Sequence, residues 1–183
     1  MKRLLLVLMV VMLLTVMVTN AAMAALGPVG ATFYIGQTEK AGYVAIWEEV
    51  VEEGVSSILH VQYRMKLGYC LDETHVHVGD NIADIPQNSG GAIPGQFDYQ
   101  QTHDPCQTSV EYEIPINYAD FTDGTEEPFP NEGLDAILAI HGVVGDETGW
   151  TVRCGNLEGA QFPGSDWSAY VWFPLGVHTI APN

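Results

Sequence analysis

Hydrophobic and polar residues alternate with a period of two along most of this chain, which is the pattern of β-strands that bury one face. The most regular alternation covers residues 57–67. Leu59, Val61 and Tyr63 fall on one side of this run, which predicts a strand with an apolar inner face. His60 falls on the opposite side, so we expect it to face solvent.

The same pattern recurs in short segments separated by residues typical of turns. The predicted strands cover residues 31–35, 42–51, 57–67, 71–78, 109–116, 135–144, 149–154 and 168–173. The second and third form an antiparallel hairpin, because a Glu-Glu-Gly turn separates them. The segment 135–144 is the most apolar and is predicted to be central. We therefore expect an all-β fold, an antiparallel β-sandwich of about seven or eight strands with long loops.

The N-terminus has the three parts of a secretory signal peptide. Lys2 and Arg3 precede an apolar run, and the small residues Ala22 and Ala24 fit an A-x-A cleavage site. We expect residues 1–24 to be a signal peptide and residues 25–183 to form a single secreted or cell-surface domain, with no membrane span after cleavage. The alternative is an uncleaved anchor that extends to Leu26.

The charge balance limits the classes of partner. Acidic residues number 23 and Lys plus Arg 6, and the loss of Lys2 and Arg3 would change the formal net charge from −17 to −19. Nucleic-acid binding is not expected, because neutralising phosphates requires clustered basic residues. A hydrophobic content of 47% also argues against a disordered chain.

Three cysteines become oxidisable if the protein is exported. Cys70 and Cys106 each lie just before a predicted strand, and the Gly/Pro-rich segment between them would benefit from a tether. We therefore favour a Cys70–Cys106 disulfide among the three pairings. Cys154 would then be a buried thiol or an intermolecular partner.

Histidines supply the strongest chemical pattern. Glu73, His75 and His77 project from one face of a predicted strand, and an H-x-H pair with this spacing can converge on one ion. His141, on the predicted central strand, could supply a third nitrogen, and His103 lies in a loop that could close over them. These residues are candidate ligands of a transition-metal site, the less favoured of two interpretations.

A structural interpretation of the same residues stays open. In it, Glu73 or Thr74 fixes His75 by a hydrogen bond, His75 and His141 belong to a buried polar cluster, and His77 faces solvent. The motif H-x-H is short and occurs without any metal.

Acidic loops offer a second kind of site. Asp80 and Asp84 lie where a long loop begins, and further acids occupy residues 120–127. Irregular acidic loops can supply the oxygen ligands that Ca²⁺ prefers, so calcium is the second metal that we consider. The alternative is an acidic surface that only keeps the protein soluble.

Four ordered segments carry a resemblance to a protein family. They are residues 73–79 (ETHVHVG), 94–97 (PGQF), 141–144 (HGVV) and 162–170 (FPGSDWSAY). Together they resemble an uncharacterised family of secreted or surface-exposed prokaryotic β-sandwich domains. The resemblance implies an extracellular β-rich domain with Cys70 and Cys106 at recurrent cysteine positions. It implies no particular activity.

Two functions follow as expectations. The first is a secreted or cell-surface structural or binding module, optionally stabilised by calcium or a His-liganded ion, which could self-associate or join a surface assembly through exposed strand edges. The second is a small metal-dependent enzyme that uses His75, His77 and His141. Motifs for serine hydrolases, zinc proteases and nucleotide-binding loops are absent from the sequence.

Overall fold

The structure is a computed structural model that describes residues 28–121, 134–145, 147–154, 159–164 and 168–176. The predicted signal peptide, the side chain of Cys154, the acidic segment beyond residue 121 and residues 165–167 of the fourth family motif lie outside what is described.

Antiparallel strands account for most of the described chain. They are β1 (Val29–Ile35), β2 (Glu39–Glu52), β3 (Ser56–Met65), β4 (Leu71–Gly79), β5 (Gln87–Asn88), β6 (Gly91–Ala92), β7 (Tyr99–Gln107), β8 (Ser109–Asn117), β9 (Leu134–Val144), β10 (Glu147–Cys154), β11 (Gly159–Gln161) and β12 (Ala169–Leu175). Short 3-10 turns cover Ile82–Asp84, Pro94–Gln96 and Tyr118–Asp120. No described helix is both long and apolar enough to cross a membrane.

Strand β9 is the central strand, as its apolar sequence predicts. One of its edges pairs with β4, and its other edge pairs first with β12 and then with β10. From β10 the sheet continues through β1, β2 and β3 to β8, while β7 pairs with the far edge of β4. These ten strands form one branched sheet, and β5 and β6 form a small separate hairpin.

The prediction of an all-β antiparallel fold is confirmed, but the division into two sheets of a sandwich is not. The single large sheet curls until β3 faces β4 and β9. The Tyr63 hydroxyl on β3 donates to the backbone carbonyl of His141 on β9, at 2.8 Å, and to that of His75 on β4, at 3.1 Å. The sheet is therefore nearly closed and barrel-like.

The barrel has a main core inside it and a smaller apolar cluster outside β9. Leu138 and Ile140 project into the main core. Ile137 and Ala139 project the other way and pack with a cluster that includes Phe97. Because both faces of β9 are covered, this strand reads as a nearly continuous apolar run.

The segment after β4 differs from the sequence prediction. Residues 99–107 were expected to be part of a loop but form β7, which pairs with β4. The predicted disulfide between Cys70 and Cys106 is present, with 5.4 Å between the two Cα atoms, and it ties the start of β4 to β7.

Candidate functional site

The pairing of β4 with β9 brings two predicted histidines into direct contact. His75 and His141 lie opposite each other in the register, and their Nδ1 atoms are 3.1 Å apart. Both residues are buried. The sequence-based prediction that these histidines belong to one cluster is therefore confirmed.

This contact restricts the protonation states of the two rings. A hydrogen bond between two Nδ1 atoms requires one ring to donate and the other to accept. The Nε2 of His75 lies 3.7 Å from a carboxylate oxygen of Glu73, which favours a proton on that nitrogen. We infer that the Nδ1 of His75 accepts and that the Nδ1 of His141 donates, so the two neutral rings are opposite tautomers.

Burial keeps both imidazoles neutral at physiological pH. Removal from water, together with the neighbouring His75, lowers the pKa of His141 to about 3. Burial also lowers the pKa of His75, and the nearby Glu73 carboxylate opposes this shift in part. Two neutral rings can form one N–H···N hydrogen bond without charge repulsion. The lowered pKa values of both histidines are therefore consistent with the short contact between them.

Aromatic side chains enclose the pair on the outer face of the sheet. Trp150 on β10 lies opposite His141 in the register, and its ring centroid is 4.7 Å from that imidazole. Phe97, from the segment that follows β4, packs edge-on against Trp150. The pair is thus buried beside an aromatic cluster of the same chain.

His77 lies on the same face of β4, but its ring contacts other residues. Its Nδ1 is 3.4 Å from the backbone N–H and from a carboxylate oxygen of Asp98, and its ring lies against Phe97. The expectation that His77 faces solvent is wrong, because the segment carrying Phe97 and Asp98 covers it and leaves it 8% exposed.

His103 does not close over the pair. It lies on β7, where its Nε2 is 2.9 Å from the hydroxyl of Thr74. Thr74 points away from His75, toward Tyr112 on the inner side of the sheet. His103 therefore belongs to a different polar contact.

The two acidic residues proposed for calcium lie at the turn after β4. Asp84 is exposed and accepts a hydrogen bond from the backbone N–H of Asn81, which closes the 3-10 turn. Asp80 precedes this turn and is partly buried. Calcium binding at Asp80 and Asp84 stays a prediction, and the turn gives Asp84 a capping role without it.

Within the described residues, one group brings three potential metal-ligand atoms within 4.8 Å of one another, and it was not predicted. It consists of His60 on β3 with Glu111 and Glu113 on β8. The expectation that His60 faces solvent is wrong, since it is 7% exposed and stacks on Trp47 of β2. The alternation of Glu111 and Glu113 was visible in the sequence, but the pairing of β3 with β8 was not.

Comparisons with family models, curated proteins and solved structures yield no match for this chain. The resemblance to secreted prokaryotic domains accordingly stays a prediction that rests on the four sequence segments.

Proposed function

We propose that this protein is a secreted or cell-surface structural or binding module, and that the His75–His141 pair belongs to its scaffold. The observation that carries this proposal is the set of partners around the pair. The two imidazoles bond to each other, and the backbone carbonyls of the same two residues hold the Tyr63 hydroxyl. The pair thus joins three strands at the point where the sheet curls on itself.

An extracellular location is supported by two independent features. The first is the N-terminal sequence with its A-x-A site. The second is the Cys70–Cys106 disulfide, a bond that persists mainly in oxidising compartments.

Open strand edges supply a means of association. Within the large sheet, as far as the structure describes it, β7, β8 and β11 each pair with one neighbour only. An unpaired edge can accept a strand from another chain, so self-association or incorporation into a surface assembly is the mode of binding we propose.

A metal-dependent enzyme at His75, His77 and His141 is the second candidate. One observation favours it, because two nitrogens 3.1 Å apart could also be neighbouring ligands of one ion. The position of His77 beside Asp98 favours the scaffold function instead.

Thermal unfolding of His75→Ala and His77→Ala, each measured with and without a chelator, separates the two candidates. In the scaffold function, His75→Ala leaves the buried Nδ1 of His141 without a partner and costs about 1–3 kcal/mol. His77→Ala should cost less, because its polar partner, Asp98, is exposed and can bind water instead.

The chelator decides between the candidates. The scaffold function predicts that any shift caused by the chelator is the same in His75→Ala as in wild type. If wild type loses stability on chelation, and both variants resemble the chelated wild type, then the histidines hold a metal and the scaffold function is wrong.

A further inference from the structure

The outer face of β3 and β8 carries a histidine surrounded by carboxylates. His60 lies opposite Glu113 in the strand register. Its Nδ1 is 3.1 Å from Oε1 of Glu111, and its Nε2 is 3.5 Å from Oε2 of Glu49 on β2. Three carboxylates from two strands therefore surround one imidazole, and no Lys or Arg pairs with them in the described part of the chain.

Neighbouring side chains hold this group in a defined geometry. The His60 ring stacks flat on Trp47, with 4.6 Å between centroids and 4° between planes. The amide of Gln62 donates to Oε2 of Glu111 at 2.9 Å, which leaves Oε1 directed at His60. The guanidinium of Arg64 in turn donates to Gln62. Preorganised ligands of this kind are what a selective metal site requires.

The far nitrogen of the His60 ring is a second unusual feature of this group. The His60 side chain is 9% exposed, and its Nε2 is buried and makes no hydrogen bond within the described residues. A buried polar atom without a hydrogen bond is rare and calls for an explanation. A cation on Nδ1 would fix the proton on Nε2 and strengthen the attraction of that N–H to Glu49.

We infer that His60, Glu111 and Glu113 form a binding site for a divalent first-row transition ion, with Glu49 as the carboxylate that orients the imidazole. One nitrogen of His60 and one oxygen from each of the two glutamates lie within 4.8 Å of one another. The 3.1 Å separation of Nδ1 and Oε1 is close to that of two ligands on one ion, since bonds of about 2.0–2.2 Å place tetrahedral ligands about 3.3–3.6 Å apart, and a small side-chain movement would open the gap.

The ligand types determine the class of ion. Imidazole with carboxylates suits zinc, copper, iron or nickel. Ca²⁺ takes about six to eight oxygen ligands, more than this group offers, and Mg²⁺ gives up its water reluctantly. Three protein ligands leave one tetrahedral position for water. The site lies on β3 and β8, so it does not depend on the function of the His75–His141 pair on β4 and β9.

The test uses Zn²⁺ and Co²⁺ as probes on the protein as its cells produce it, after treatment with a chelator. Isothermal titration calorimetry should show saturable binding of one Zn²⁺ per chain in the presence of excess Mg²⁺. His60→Gln should abolish this binding, and Glu113→Gln should weaken it at least tenfold. Bound Co²⁺ should give the visible absorption of a four-coordinate ion in wild type and lose it in both variants.

Two control variants make the result decisive. Glu53→Gln removes the same charge from the exposed β2–β3 turn and should leave Zn²⁺ affinity unchanged. His75→Ala should also retain the ion. The inference is overturned if Glu113→Gln binds Zn²⁺ as wild type does, if Glu53→Gln loses as much affinity, or if His75→Ala is the variant that loses the ion. Glu113 is exposed, so its substitution is compatible with folding even if His60→Gln is not.

Discussion

Two histidines of this protein lie on the outward side of the sheet, each on a different pair of adjacent strands, and they have opposite surroundings. His141 lies between another imidazole and an indole, and its burial, together with the neighbouring His75, lowers its pKa to about 3. His60 lies among three carboxylates beside a single indole. The first environment keeps a ring neutral and satisfies it internally, whereas the second attracts a cation.

The difference arises from the cross-strand neighbour and not from the strand that carries the histidine. β9 places His141 opposite His75, and β8 places Glu113 opposite His60. Directly opposed side chains in an antiparallel pair are about 5 Å apart, so the register decides which groups interact. Each prediction below changes one of these two regions while the other serves as the reference.

The largest expected effect comes from the disulfide, which ties the start of β4, the strand that carries His75, to β7. The double substitution Cys70→Ser/Cys106→Ser should reduce the free energy of unfolding by about 4 kcal/mol, because 36 residues separate the two cysteines. Hydrogen exchange should accelerate in β4 and β7 and stay slow in β3 and β8. Equal acceleration of exchange in all four strands would mean that the disulfide does not support β4 and β7 selectively.

A smaller effect is expected when the pH is lowered. Histidines in the unfolded chain titrate near 6.5, while burial lowers the pKa of folded His141 to about 3 and also lowers that of His75. The unfolded state therefore binds more protons, and stability present above pH 6.5 is lost as the pH falls toward 3. One such group implies a loss of about 2 kcal/mol between pH 7 and pH 5.

Urea unfolding across this pH range measures that loss. The variant His141→Asn should show a much flatter dependence, although it is less stable at pH 7. If the free energy of unfolding of the variant falls with pH as steeply as that of wild type, His141 is not the group that takes up the proton.

The smallest expected effect is a change in stability caused by a substitution among the carboxylates around His60. The sign of this change should depend on whether Zn²⁺ is present. In the presence of a chelator, Glu113→Gln should raise the free energy of unfolding by less than about 1 kcal/mol, because it reduces repulsion among exposed carboxylates. With Zn²⁺ present the same variant should be less stable than wild type, because it has lost a ligand. Melting temperatures of this variant and of Glu53→Gln test the reversal, which a purely electrostatic effect would not produce.

The sequence predicts most strands because their buried positions are apolar and regularly spaced. Leu59, Val61 and Tyr63 are each fully buried, as their alternation indicates. β7 was missed because Tyr99–Gln107 is largely polar and lies at an edge, where burial imposes little pattern on the sequence. Its pairing with β4 is a long-range property that a single-sequence pattern does not contain.

The histidine sites show the same limit. The alternation correctly places His60 on the outer side of its strand, but the stacking of Trp47 and the approach of Glu111 depend on neighbouring strands. Likewise the sequence grouped His75 with His141 but could not give the register that sets their rings in contact. Cross-strand partners are therefore the part of the site that required the structure.

The most direct measurement is nitrogen NMR of the histidine rings, recorded before and after addition of one equivalent of Zn²⁺. We predict that His75 and His141 are neutral, opposite tautomers near pH 7 and that Zn²⁺ leaves their resonances unchanged, while the ring of His60 shifts. If Zn²⁺ moves the His75 and His141 resonances instead, the pair is a metal site and its assignment to the scaffold is contradicted.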